Sequence, residues 1–213
     1  CGKWRQALKS DELRFFASVV GGSVLLIACN IQSMYGSFLT PLRHAFFQVS
    51  SIISTTGFSS VDFDLWPEFS RALLVILMFC GACSRVLLLL KCIGREIRQI
   101  LHPRSVNVVR LDGRVVDEKI LHTVMIFLGS YMLITFGATL LVALDNFSFG
   151  TTFTAVVACI GNIGPGLELV GPMGNFSIFS PLTKLVLSLC MIVGRLEVFP
   201  ILVLFSKNAW QRV

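Results

Sequence analysis

Charge is what this sequence has least of. Of its 213 residues only 14% are Asp, Glu, Lys or Arg, while 54% are hydrophobic; soluble domains carry about 25% charged residues. Mean hydropathy is +0.79. Three stretches, Phe15 to Leu42, Ile120 to Leu144 and Asn146 to Leu167, contain no charged side chain, and roughly 20 apolar residues suffice to cross a bilayer. That excludes a water-soluble globule and points to an integral membrane protein.

Other absences narrow the chemistry. The basic start, CGKWRQALKSDELRFF, has no small-residue cleavage site before the first apolar run, so it reads as a cytoplasmic lead-in within a longer chain, not a signal peptide. Seven cysteines, at positions 1, 29, 80, 83, 92, 159 and 190, make no paired metal pattern. Cys80 and Cys83 form half of such a motif, with no second half and no nearby histidine, inside LLVILMFCGAC. They read as small buried residues. His44, His102 and His122 are too scattered for a metal triad or haem. A nucleophile elbow, a P-loop and HExxH are all missing. No enzyme and no cofactor are expected.

The net charge of +6 is not spread as nucleic-acid binding would require. Lys3, Arg5, Lys9 and Arg14 precede the first apolar run, Lys91 to Arg114 holds a second basic cluster, and Lys207 and Arg212 close the chain. Asp62, Asp64, Glu68, Asp145 and Glu168 fall between them. The positive-inside rule makes the N-terminus, central linker and C-terminus cytoplasmic and the acidic segments external. No nucleic-acid partner is expected.

What is present is a unit that occurs twice. A shift of 107 residues lays FFQVSSIISTTGF (Phe46 to Phe58) over FTAVVACIGNIGP (Phe153 to Pro165), matching Phe46 with Phe153, Val49 with Val156, Ile53 with Ile160 and Gly57 with Gly164. The first unit is expected to run helix Leu13 to Met34, short helix Thr40 to Ile53, loop, helix Glu68 to Leu101. The second runs helix Glu118 to Leu144, short helix Phe149 to Cys159, loop, helix Ser177 to Phe205. His102-Pro103 is a plausible helix stop, because the residue before proline avoids the α region. The expected divisions are a lead-in at 1–12, pore units at 13–101 and 118–206, a linker at 102–117 and a tail at 207–213. At 1.5 Å per residue the short helices reach about 21 and 16 Å, too little for a core of about 30 Å. With both ends outside they must be re-entrant, and irregular backbone at that depth needs protein or a water-filled cavity around it.

A bare Thr-Thr-Gly backbone has a use in such a place. Carbonyl oxygens that replace a cation's hydration shell make potassium filters, and glycine supplies the conformation that aims successive carbonyls at one axis. Thr55-Thr56-Gly57-Phe58 fits a Thr-Val-Gly-Tyr pattern, and Asn162-Ile163-Gly164-Pro165 holds the same four positions in the second unit. The partly negative C-terminal end of each short helix favours a cation. A re-entrant kink without ions, or a plain turn between helices, is the competing reading for a single copy; two equivalent copies favour the filter. Asp62, Asp64 and Glu168 either concentrate cations outside or are ordinary solvated charges.

FFQVSSIISTTGFSSVDFDLWPEFS, LHPRSVNVVRLDGRVV, GNIGPGLELVGPMGNFS and GRLEVFPILVLF together resemble the Trk/Ktr/HKT potassium-uptake transporters, especially their TrkH-type membrane subunit. The resemblance covers nearly the whole chain. It implies an all-α integral membrane fold of two tandem helix–pore helix–filter loop–helix units, the third and fourth of four around a pseudo-fourfold pore. It assigns Gly57 and Gly164 as filter glycines, with Phe58 closing the first strand and potassium near the backbone carbonyls of Thr55, Thr56, Asn162 and Ile163. Potassium, together with some sodium, is then the transported substrate, in the cell inner membrane. The implied partners are the remaining pore units, a second copy in a homodimer and a cytosolic nucleotide-binding regulatory subunit, which the basic linker Arg95 to Arg114 could touch. The rival is a non-conducting half-pore that completes or regulates another protein.

Lys184 and Arg195, eleven residues apart, share a helix face. An ionisable residue inside a membrane is a functional candidate. The resemblance gives Arg195 in GRLE the place of a pore barrier or gate; the alternative is that it only ties helices together. Lys184 reads as a snorkelling residue near the outer end, and Glu197, about 200° around the helix, is no side-by-side partner of Arg195. One departure stands out. The family breaks the second helix of the third unit with a glycine- and serine-rich gating loop, whereas here MFCGAC passes straight to SRVLLLLK. About ten residues are expected to be missing between Cys83 and Ser84, because Arg85 at the midplane would be costly.

Overall fold

Ser10 starts the first long helix, α1 (Asp11–Ile31). Its hydroxyl accepts from the Leu13 N–H at 3.5 Å, and its carbonyl accepts from Arg14 at 3.1 Å, which makes it an N-cap. Asp11 and Glu12 in the first turn complement the positive end of the helix dipole. The computed structural model describes residues 10–36, 39–79, 90–95, 97–98, 110–111, 114–115 and 118–195. Residues 1–9 of the expected lead-in, most of the linker, the Cys83–Ser84 junction, Glu197 and the tail lie outside the described residues, and the first helix already begins at Asp11 inside that lead-in.

After α1 and a 3₁₀ turn at Gln32–Met34 come α2 (Leu39–Ile53), a loop with a 3₁₀ turn at Phe63–Leu65, and α3 (Glu68–Phe79). A two-residue antiparallel ladder, β1 (Arg110–Leu111) with β2 (Arg114–Val115), precedes the second set. That set is α4 (Glu118–Val142), a 3₁₀ turn at Ala143–Asp145, α5 (Phe149–Ile160), a loop with 3₁₀ turns at Glu168–Val170 and Phe176–Ile178, and α6 (Pro181–Arg195). Apart from the small ladder inside the expected linker, the described fold is helical. The order long helix, 3₁₀ turn, short helix, loop, helix occurs in both sets. The last helix begins at Pro181, because Phe176–Ile178 forms its own turn and Ser180 caps α6, its hydroxyl accepting from Thr183 N–H at 3.3 Å.

Asp11–Met34 and Leu121–Asp145, 24 and 25 residues, are each long and apolar enough to cross a membrane. At 1.5 Å per residue they reach about 36 and 38 Å. Inside α4 the hydroxyls of Thr135 and Thr139 donate to the carbonyls of Tyr131 and Thr135, both at 2.8 Å, so neither is left unsatisfied in an apolar setting. The short helices α2 and α5 have 15 and 12 residues, about 22 and 18 Å.

The chain divides into two compact bodies, residues 1–22 with 82–129 and residues 23–81 with 130–213. In the first, Lys91 Nζ donates to Asp11 Oδ2 at 2.7 Å, and Cys92 and Leu121 are buried together. The second holds both loops. Its core in the first repeat includes the fully buried Ile27, Ile31, Val49, Ile52, Phe63 and Leu74; each large apolar side chain so buried contributes about 1.5–3 kcal/mol before entropy is set against it. Asn30 Nδ2 joins α1 to α3 through Ser70 Oγ at 2.9 Å. In the second repeat Val142, Val156, Ile160, Val170, Phe179 and Leu187 form one cluster. Phe79 of α3 meets Phe153 of α5 at a ring separation of 6.0 Å, so the repeats pack on each other within this body.

Candidate functional site

Both short helices end in the same way. In the first, Ser54, Thr55 and Thr56 donate their N–H groups to the carbonyls of Ser50, Ile52 and Ser51 at 3.1, 3.0 and 2.9 Å. In the second, Gly161, Asn162 and Ile163 donate to Val157, Cys159 and Ala158 at 2.9, 3.1 and 3.0 Å. This is the Schellman arrangement, in which a left-handed residue folds two N–H groups back over the last turn. The left-handed residues are Thr55 (φ 54°) and Asn162 (φ 53°). Two residues on, Gly57 (φ 78°) and Gly164 (φ 108°) return to positive φ. Every bond and every positive φ in this set is matched across the shift of 107 residues read from the sequence.

The cap consumes donors and leaves acceptors. Among the described residues no hydrogen bond reaches the carbonyls of Thr55, Thr56, Gly57, Asn162, Ile163 or Gly164. The Phe58 carbonyl is different: Ser51 Oγ donates to it at 2.6 Å, and its side chain is 71% exposed. The structure brings the loops side by side. A Cβ on Gly57 would stand 1.9 Å from the Ile163 carbonyl oxygen and 3.1 Å from Pro165 Cδ, so nothing larger than glycine fits there, in addition to the positive φ. The space a Cβ would take at Gly164 is open among the described residues.

Arg195, expected as a barrier, is the last described residue of α6 and is exposed among the described residues. Its neighbourhood is tied to the second loop. Asn162 Nδ2 donates to the Met191 carbonyl at 3.2 Å. A Cβ on Gly194 would lie 1.9 Å from the Ile160 carbonyl oxygen, so α6 approaches the end of α5 backbone to backbone. Lys184, exposed, donates to the Ser177 carbonyl at 2.9 Å.

The acidic residues of the two loops are not all free charges. Asp64 Oδ1 accepts from the Glu168 N–H at 2.9 Å, and Arg71 Nε lies 3.9 Å from the same oxygen. Glu168, itself at φ 58°, uses Oε2 to accept from Ser148 Oγ and from Thr151 N and Oγ1 at 3.1 and 2.8 Å. Ser148 is the N-cap of α5, so the Glu168 carboxylate sits where a helix N-terminus favours an anion. The Ser148 hydroxyl, with Thr151, favours the ionised carboxylate and holds its pKa below the ordinary glutamate value. Burial pushes Asp64 the other way, against the pull of the Glu168 N–H and Arg71. The sequence reading treated these residues as external charges and missed this network; the spacing of Ser148 from Thr151 was the one local signal of a cap.

A family profile described as TrkH, cation transport protein, matches residues 37–212. The chain belongs to the TrkH family. This is a family of transporters, not of enzymes. Among curated relatives, the Trk system potassium uptake protein TrkH of Salmonella typhimurium is 35% identical over 217 residues, covering 95% of this chain and 44% of its own length. TrkG of Escherichia coli K12, also named a Trk system potassium uptake protein, is 29% identical, covering 96% and 44%. The crystal structure of the potassium transporter TrkH from Vibrio parahaemolyticus is similar with a TM-score of 0.86 and 29% identity, covering 95% of this chain and 46% of that one. The chain thus spans about half the length of the TrkH relatives it matches.

Proposed function

We propose that this chain supplies two of the filter segments of a potassium-translocating pore and works in potassium uptake, with Thr55, Thr56, Gly57, Asn162, Ile163 and Gly164 facing the ion. The observation that carries this is the duplicated loop whose donors are turned back into the helix cap and whose carbonyls are left to a different partner. Left-handed φ at alternate residues swings successive carbonyls toward one side, as a dehydrated cation requires. The approach of Gly57 to Ile163 is a head-to-tail contact between consecutive units; repeated, it makes a ring. The names of the TrkH and TrkG relatives, both potassium uptake proteins, support potassium as the substrate.

On this reading the two repeats are pore units, each a membrane-spanning helix, a re-entrant pore helix, a filter loop and an outer helix. The other units belong to the rest of the pore, and the basic segments lie on the cytoplasmic side of an inner membrane. A second copy and a cytosolic nucleotide-binding subunit are the partners that the family resemblance supplies. Arg195, one turn beyond the Asn162–Met191 bond, stands at the inner side as a barrier to cations; Arg195→Ala is expected to raise potassium leak, and an unchanged leak with normal protein level removes that role. The function itself is tested by potassium uptake of the full-length gene in a potassium-requiring host, comparing Gly57→Ser and Gly164→Ser with wild type at equal membrane abundance. Reduced uptake or altered potassium-over-sodium preference supports the proposal. Unchanged values in both variants favour a non-conducting half-pore.

A further inference from the structure

We propose that Glu168 and Asp64 form a brace across the outer ends of the two loops, making Glu168 a positioning residue for ion discrimination. This deepens the filter reading and rests on it. The loops already touch among their open carbonyls, where Gly57 meets the Ile163 carbonyl. Four residues beyond Gly164 and seven beyond Gly57 they meet again, through the Glu168 N–H and Asp64 Oδ1 at 2.9 Å. Two contacts, one among the open carbonyls and one beyond them along both loops, fix their separation as a single contact could not.

The brace is built at a cost. Glu168 holds a left-handed backbone, φ 58°, which disfavours a non-glycine residue by about 1–2 kcal/mol. What that conformation achieves is reach: the backbone N–H turns to Asp64 while the carboxylate turns to Ser148 and Thr151 at the start of α5. One residue therefore locks its own loop, the first repeat's loop and the N-terminus of the helix that ends at Asn162. Glycines make room for both carboxylates. A Cβ on Gly150 would lie 2.2 Å from Glu168 Oε1, and one on Gly171 would lie 1.8 Å from Asp64 Oδ2. Arg71, with its side chain only 17% exposed, supplies the counter-charge and pairs with Glu68 at 2.6 Å. Leu167 N–H, held by Thr154 Oγ1 at 3.0 Å, pins the same loop to α5 from the adjoining residue.

The test uses the full-length transporter in a potassium-requiring host, with initial uptake of potassium and sodium measured at equal membrane abundance. Glu168→Gln, Glu168→Gly, Asp64→Asn, the Glu168→Gln/Asp64→Asn pair and Gly57→Ser are compared with wild type. Glu168→Gln and Asp64→Asn are each expected to lower potassium-over-sodium preference about fivefold, and the pair no further, because both break one unit. Glu168→Gly relieves the backbone penalty and removes the carboxylate; it should lose preference while resisting heat at least as well as Glu168→Gln, a split that a merely structural role would not give. Wild-type preference in Glu168→Gln and Glu168→Gly, with Gly57→Ser altered, overturns the brace and leaves the filter standing. Wild-type preference in all three overturns both.

Discussion

At Thr55 the chain enters the left-handed region on a β-branched residue; at Asn162 it does so on a type that tolerates that region well. The φ values nevertheless agree within a degree, 54° and 53°. What differs is the support. The first loop is held by hydroxyls: Ser54 Oγ donates to the Ser50 carbonyl at 2.6 Å and stands 2.8 Å from Thr56 Oγ1, while Ser51 holds the Phe58 carbonyl and Gln48 Nε2 donates to Ser59 Oγ at 3.1 Å. The second is held by burial and by α6: Ile163 is 3% exposed, and Asn162 is bonded to Met191. One backbone conformation is thus reached by two chemistries. The shared element is the capped helix end with its open carbonyls, and the shared element is where function should be sought.

The sharpest way to break the equivalence is at the glycines. Gly57→Ala meets the Ile163 carbonyl and a left-handed φ together, whereas Gly164→Ala meets only the φ. Potassium uptake at equal abundance should be abolished in the first and fall at least about tenfold less in the second, since 1.4 kcal/mol already separates two states tenfold. Equal loss would mean that the contact between the loops is not limiting. Next come reciprocal swaps read by thermal unfolding in detergent. Asn162→Thr should destabilise by about 2 kcal/mol, combining a β-branched left-handed residue with loss of the Met191 bond. Thr55→Asn should stabilise by about 0.5–1 kcal/mol. The same sign for both swaps contradicts the comparison.

Ser51→Ala strips the partner from the Phe58 carbonyl and should cost about 1 kcal/mol, near the low end for an unsatisfied group because the site is open; its counterpart, Ala158, has no hydroxyl to lose. The smallest effect is on acid sensitivity. Glu168 titrates below the ordinary value of 4.5, so its contribution is complete above that value and fades as pH falls through the lowered one. Asp64 titrates above its ordinary 3.8; its ionised form opposes folding once pH rises past 3.8, and acid relieves that penalty. The two run in opposite directions. Glu168→Gln removes only the first, so its melting temperature should fall less than wild type between about pH 5 and pH 3. A steeper fall contradicts the assignment.

The duplication was legible because a helix cap is local: apolar spacing, then Ser-Thr-Thr-Gly or Gly-Asn-Ile-Gly, suffices to end a short helix. Helix limits near Met34, Ile53 and Leu144 came from where apolar runs meet turn-forming residues. The brace was not legible, since Asp64 and Glu168 are 104 residues apart and each alone looks like a surface charge. Nor was the need for Gly194, which arises only when α6 lies against the Ile160 carbonyl.

The central claim concerns main-chain oxygens and an ion, and anomalous scattering from thallium or rubidium in crystals of the full-length protein addresses it directly. A peak is expected in direct coordination with the carbonyls of Thr55, Thr56, Asn162 and Ile163. Peaks confined to other places, with these carbonyls turned to protein or water, would contradict it.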